Sequence, residues 1–129
     1  MSGAQRNSAV LIAAALLYYG WWRVANAYAL ARPEADDIVD PLIFHAALDV
    51  VLGFALYFAF VGSAAVRVAL ATSAPLLAGL LLEVTVGSDP AYPLSILLIA
   101  GLMALFFFIG SVIAAAFHGW RKVGRQPVA

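Results

Sequence analysis

Four runs of predominantly apolar residues, each about as long as a membrane-spanning helix, make up most of this chain. They cover approximately residues 8–31, 42–61, 64–86 and 94–117. A spanning α-helix needs about 20 such residues to cross the hydrocarbon of a bilayer. Barrel strands alternate in polarity over about 10 residues, whereas these runs are longer and do not alternate. The sequence therefore predicts an all-α integral membrane protein with four transmembrane helices in an up-down bundle.

The composition supports the bilayer as the solvent of this chain. Of its 129 residues, 65% are hydrophobic and 11% are charged, whereas soluble domains average about 45–50% apolar and about 25% charged residues. The length suits one domain, residues 1–129, and the lipid bilayer is its first expected partner. The net charge of zero predicts no nucleic-acid partner. The absence of cysteine excludes disulfides and thiol chemistry.

The basic residues predict an orientation. Polar segments follow the first three runs, and they read ARPEADDIVDP, GS and GSDPAYP. In a four-span arrangement most basic residues fall on one side: Arg6, Arg67, Arg121, Lys122 and Arg125. Only Arg32 lies in a loop on the other side. Because lysine and arginine are enriched in cytoplasmic loops, both termini are predicted to be cytoplasmic, in a multi-pass protein of the plasma (inner) membrane.

Ionisable residues inside the apolar runs form a second pattern. Placing a charged side chain at the bilayer centre costs about 2.5 kcal/mol or more. Asp49 lies in the second run with His45 one turn earlier, Arg23 lies in the first run, and Glu83 lies near the end of the third. When the runs are placed side by side, these four residues share one layer in the outer half of the membrane. We expect Arg23 and Asp49 to meet at a common depth in this layer.

Two of the runs carry small and polar residues at four-residue spacing, which is typical of one helical face. In the second run these residues are His45, Asp49, Gly53 and Tyr57, and in the third run they are Arg67, Ala71, Pro75, Gly79 and Glu83. Such faces favour close contact between helices, so both are predicted to point into the protein. Pro75 predicts a kink in the third helix. The oily fourth run is predicted to be a lipid-facing wall or an oligomer contact.

These residues support two hypotheses for function. In the first, the protein couples transport to protons or small ions: Asp49 titrates, Arg23 holds its resting charge, His45 passes protons to the outer water, and Tyr57 extends the polar face inward. Such a small chain would assemble as a homo-oligomer or with other membrane subunits to enclose a path. In the second hypothesis, the charges fix helix packing in a non-catalytic structural or assembly subunit of a larger membrane complex.

Catalysis has less support in the sequence. His45, Asp49 and Glu83 could ligate a divalent metal, but one histidine with two carboxylates is a sparse set of ligands. The two histidines, His45 and His118, fall near opposite faces of the membrane, so they cannot bind one haem iron. We therefore predict no cofactor and no metal. Whether the chain is an enzyme stays open, with a non-enzymatic role favoured.

Overall fold

A computed structural model describes residues 2–30, 39–86 and 95–125, and the described residues form four α-helices. The helices are α1 (Gly3–Leu30), α2 (Val39–Ala59), α3 (Ala64–Val86) and α4 (Ser95–Arg125). The all-helical prediction is confirmed. The predicted loop segments at residues 31–38 and 87–94 lie outside the described residues.

Two of the described helices are long and apolar enough to cross a membrane: Ala64–Thr85 of α3 and Ile96–Gly124 of α4. The apolar part of α2, Phe44–Ala59, is shorter. The helix α1 is long, but polar side chains lie in its first turns and Arg23 lies in its second half. The helix α4 continues past the predicted end at residue 117 to Arg125. Basic residues at a helix C-terminus interact favourably with the helix dipole, which explains the extension.

Serine residues cap the starts of α1 and α3. The Ser2 hydroxyl accepts a hydrogen bond from the Gln5 backbone N–H at 3.2 Å, and the Gln5 side chain accepts one from the Ser2 backbone N–H at 3.0 Å. This reciprocal pair is a capping box. At α3, the Ser63 hydroxyl accepts a hydrogen bond from the Val66 N–H at 3.3 Å. Gly62 precedes it with φ of +121°, a conformation that glycine adopts readily. The sequence Gly62-Ser63 therefore encodes the tight turn between α2 and α3.

A bidentate amide contact ties the start of α1 to this turn. The Asn7 side-chain N–H group donates to the Val61 carbonyl at 2.8 Å, and the Val61 N–H donates to the Asn7 side-chain oxygen at 2.9 Å. Both residues are half-buried. The contact satisfies backbone groups just beyond the end of α2, which lack a helical partner there.

The helix α4 is central, since α2 and α3 both pack against it, while α1 packs mainly against α3. That α4 is a lipid-facing wall or an oligomer contact stays a prediction for its exposed face, which carries large apolar side chains such as Leu98 and Leu105. One of its faces is buried and consists mostly of small residues: Ile96, Ala100, Met103, Ala104, Phe107, Gly110, Ser111 and Ala114. Helices inside membranes associate through close packing of small side chains rather than through polarity. A predominantly apolar helix can therefore lie at the centre.

Glycines set the separation of α4 from its neighbours. A β-carbon at Gly53 of α2 would overlap the carbonyl oxygen of Phe107 and lie 2.8 Å from its carbonyl carbon. A β-carbon at Gly110 of α4 would overlap the carbonyl oxygen of Val50. The two glycines thus bring the backbones of α2 and α4 into direct contact. Gly79 plays the same part between α3 and α4, where a β-carbon would overlap that of Ala100.

Pro75 lies buried in the interior of α3. Proline has no backbone N–H, so the carbonyl of Ala71 lacks its usual helical donor. The hydroxyls of Thr72 and Ser73 donate to the carbonyls of Val68 and Ala69, at 2.8 and 2.7 Å. Such bonds to the preceding turn often bend helices. The kink at Pro75 stays a prediction.

Substituting Gly110 tests the contact between α2 and α4. Gly110→Ala is expected to destabilise the protein by about 1–3 kcal/mol, because the new methyl group overpacks the interface. The matched control is Gly101→Ala in the same helix, where no atom lies within 4 Å of the added carbon. Circular dichroism during thermal unfolding in detergent measures the midpoint of each variant. Equal midpoints for the two variants would contradict the close contact.

Candidate functional site

Asp49 on α2 is fully buried, with 0% of its surface exposed, and it is the only buried charged side chain among the described residues. Its Oδ1 atom accepts a hydrogen bond from the Tyr18 hydroxyl of α1 at 2.8 Å. Its Oδ2 atom is buried as well and has no hydrogen-bond partner among the described residues. The site is therefore a carboxyl group with one neutral donor and one unused oxygen.

Side chains of α3 and α4 pack around the Tyr18 ring. Tyr18 is 6% exposed and belongs to a buried cluster with Ala78 of α3 and with Met103 and Phe107 of α4. Its ring meets the Phe107 ring edge-on, with centroids 5.2 Å apart and planes at 80°. Edge-to-face contact is a favourable geometry for aromatic pairs. The packing fixes the phenol so that its hydroxyl points at Asp49.

Arg23 does not pair with Asp49, so this part of the predicted layer was wrong. Arg23 is exposed, and its Nη1 donates to the Tyr19 hydroxyl at 2.9 Å. The Tyr19 hydroxyl donates to Thr85 of α3 at 3.0 Å. Arg23 follows Tyr18 by five residues, which places the two about 140° apart around α1. The face with Arg23 therefore meets α3, while the face with Tyr18 meets Asp49.

His45 and Glu83 do not reach the Asp49 carboxyl either. His45 is half-buried, and its ring packs near Trp21 and Phe44 at centroid distances of 6.2 and 6.0 Å. Glu83 is exposed on α3. Within the part of the chain that the structure describes, no group of three His, Cys, Asp or Glu side chains could hold a metal ion. The metal site considered for His45, Asp49 and Glu83 is thus not assembled.

Tyr57 belongs to a second cluster, eight residues beyond Asp49 on α2 and therefore about 12 Å away along the helix. Its ring is buried, the Arg67 guanidinium lies 5.3 Å from the ring centroid, and the His118 ring lies 6.1 Å from it. Arg67 also donates from Nε to the Gly62 carbonyl at 3.0 Å. The predicted face of α2 is thus buried at Asp49, Gly53 and Tyr57. Its polar groups form two separate sites rather than one.

Sequence reasoning missed Tyr18. The signal that could have found it is the spacing of Ala15, Tyr18 and Trp22, which places a small residue and two aromatic residues on one face of α1. A buried tyrosine hydroxyl usually has a hydrogen-bond partner. Asp49, an acid at a similar depth on the next helix, could have been recognised as that partner.

Comparisons with known proteins give no assignment for this site. No family model matches the chain, and no curated protein or solved structure matches it. Any function therefore has to be argued from the residues themselves, above all from Asp49 and Tyr18.

A double-mutant cycle measures the bond between Tyr18 and Asp49. Tyr18→Phe leaves both carboxyl oxygens without a protein partner and is expected to destabilise the protein by about 1–3 kcal/mol. In an Asp49→Leu background the same change is expected to have almost no effect, because the acceptor is gone. Unfolding in detergent provides both values. Tyr19→Phe is the control, since it removes the neighbouring hydroxyl, and equal effects of Tyr18→Phe in the two backgrounds would disprove the pairing.

Proposed function

We propose that this chain is a four-span membrane protein in which Asp49 binds and releases a proton or a small cation during coupled ion transport. The single observation that supports this role is the fully buried Asp49 carboxyl with one neutral donor and one unpartnered oxygen. In this proposal the four helices form an up-down bundle in the plasma (inner) membrane, with both termini in the cytoplasm.

The argument starts from the energy of a buried charge. An ionised carboxylate inside a bilayer protein is costly unless a positive charge accompanies it. Within residues 2–30, 39–86 and 95–125, Asp49 pairs with no positive charge, and its hydrogen-bond partner there is the Tyr18 hydroxyl. A proton or a bound cation would supply the missing charge. The Tyr18 hydroxyl can donate to a carboxylate or accept from a carboxylic acid, so it serves either state of the site.

The other sequence-predicted residues have places on either side of this site in the proposed mechanism. Arg23, His45 and Glu83 lie toward the proposed outer water, where His45 is half-buried and the other two are exposed. Tyr57 lies toward the proposed cytoplasmic end. Because Asp49 itself has no exposed surface, the proposed mechanism assigns the described conformation to an occluded state. Transport then requires a movement that opens Asp49 to one end at a time.

A structural or assembly subunit is the second candidate function. It is favoured by the lining of the two cavities that include Tyr18, which consists almost entirely of apolar side chains. An ion path within one copy would need polar groups along its length. Purification in mild detergent separates the candidates, because a symmetric homo-oligomer supports transport and a stable complex with other membrane proteins supports a subunit.

The proposed topology predicts a labelling pattern. The natural chain has no cysteine, so single cysteines report position without background. Asp37→Cys and Ser88→Cys are expected to react with an impermeant maleimide on intact cells, whereas Ser2→Cys and Gln126→Cys are expected to react only after lysis. Leu80→Cys, on the exposed apolar face of α3, is the unreactive control. Labelling of one loop together with one terminus would rule out four spans.

Asp49→Asn tests the proposed chemistry. The amide is similar in size but cannot take up a proton or balance a cation, so pH-driven ion flux into proteoliposomes is expected to fall to the level of empty vesicles. The matched control, Asp37→Asn, removes a carboxylate from the polar segment between the first two helices and is expected to retain wild-type flux. A pH-sensitive dye inside the vesicles measures both. Wild-type flux in Asp49→Asn would show that Asp49 is structural at most.

A further inference from the structure

An apolar groove of about 610 Å³ lies between α1 and α2, next to the buried carboxyl. It forms because α1 packs mainly against α3 while α2 packs mainly against α4. Its volume is within the range of small-molecule sites, about 300–1,000 Å³. The groove therefore has room for an organic molecule that arrives from the surrounding hydrocarbon.

Tyr18 connects the groove to Asp49. The ring of Tyr18 forms part of the groove wall, and its hydroxyl is bonded to the Oδ1 atom of Asp49. Leu48 and Leu52, which lie beside Asp49 along α2, also line the groove. The carboxyl, whose Oδ2 atom has no partner among the described residues, is thus one hydrogen bond away from the groove wall. A molecule in the groove would have to displace the Tyr18 phenol to reach the carboxyl.

The side chains around the groove favour a cation with an apolar body. Four aromatic residues line it: Tyr18, Trp21, Phe44 and Phe107. Aromatic faces attract ammonium groups, and aromatic cages recognise quaternary ammonium ligands. The remaining lining is aliphatic, so a polar or multiply charged molecule would lose its hydration without compensation. The negative charge of Asp49 complements one positive charge.

We propose that this groove binds a hydrophobic organic cation with one ammonium centre, which takes the Oδ2 atom of Asp49 as its counter-charge. The inference rests on the proposed function, since the same carboxyl exchanges a proton or a small cation there. In this scheme the ammonium and the proton compete for Asp49, and the Tyr18 hydroxyl competes with the ammonium for the carboxylate.

Two ligands of nearly equal shape test the role of charge. Trimethyl(2-phenylethyl)ammonium carries the charge, and (3,3-dimethylbutyl)benzene replaces its nitrogen with carbon. The protein is placed in nanodiscs of uncharged lipid, with Trp22→Phe and Trp120→Phe leaving Trp21 in the groove as the reporter. The ammonium is expected to change the Trp21 fluorescence saturably and to bind at least tenfold more tightly than the carbon analogue. A control variant that retains Trp120 as its only tryptophan reports how far each ligand partitions into the lipid, because Trp120 is exposed.

Three variants decide the outcome. Asp49→Asn is expected to abolish the preference for the ammonium, and Asp37→Asn is expected to preserve it. Tyr18→Phe keeps the ring but removes the competing hydroxyl, so it is expected to tighten ammonium binding several-fold. Equal binding of the two ligands to the wild type, or an unchanged preference in Asp49→Asn, would overturn the inference and leave a groove filled by lipid tails.

Measuring pH-driven ion flux in the absence of the ammonium ligand distinguishes failure of this inference from failure of the proposed function. If Asp49→Asn loses pH-driven flux while the wild type shows no preference for the ammonium, the inference fails and the proposed function stands. If the wild type binds the ammonium through Asp49 but carries no pH-driven flux, the proposed transport fails and the binding site stands.

Discussion

The hydrogen bond from Tyr18 to Asp49 joins α1 to the buried face of α2. Of the four helices, α1 packs least extensively against the others. The bond is short, at 2.8 Å, and both residues are buried. Hydrogen bonds gain strength in a low-dielectric interior, and unpaired polar groups are correspondingly costly there. The same carboxyl therefore contributes one satisfied contact and one unsatisfied oxygen. That imbalance is the feature on which the proposed ion-binding role of Asp49 rests, since a polar residue retained only for packing would be expected to have both oxygens bonded.

The surroundings of this bond depend on the small residues of α4. Gly53 and Gly110 bring α2 and α4 into backbone contact, and Gly79 brings α3 close to Ala100. Phe107 lies between these contacts and packs edge-on against the Tyr18 ring. Both α2 and α3 pack chiefly against α4 and contact each other less extensively. The helix α1 then covers α3 and leaves the groove open beside α2.

The helices and the burial of Asp49 could be predicted from the sequence, whereas the partner of Asp49 could not. Helix positions follow from the length of apolar runs, and the inward face of α2 follows from its four-residue spacing. The pairing with Tyr18 rather than Arg23 depends on the rotation of α1 about its own axis. Arg23 was expected to face Asp49 because the two charges share a depth. In the structure the hydroxyls of Tyr19 and Thr85 complete a hydrogen-bonded chain with Arg23 at the surface.

Two polar contacts connect α1 to α2 and to the residue just beyond its end. They differ in how they respond to a change of charge at Asp49. The contact between Asn7 and Val61 pairs neutral groups, so neither proton nor cation uptake alters it. The contact between Tyr18 and Asp49 depends on the state of the carboxyl, because a cation that binds Asp49 competes directly with the hydroxyl. In the proposed function, a cation bound to Asp49 would therefore loosen α1 near Tyr18 while Asn7 still anchors its start. Such a movement would pivot at Asn7 and widen the groove between α1 and α2, linking occupancy of the carboxyl to access from the hydrocarbon.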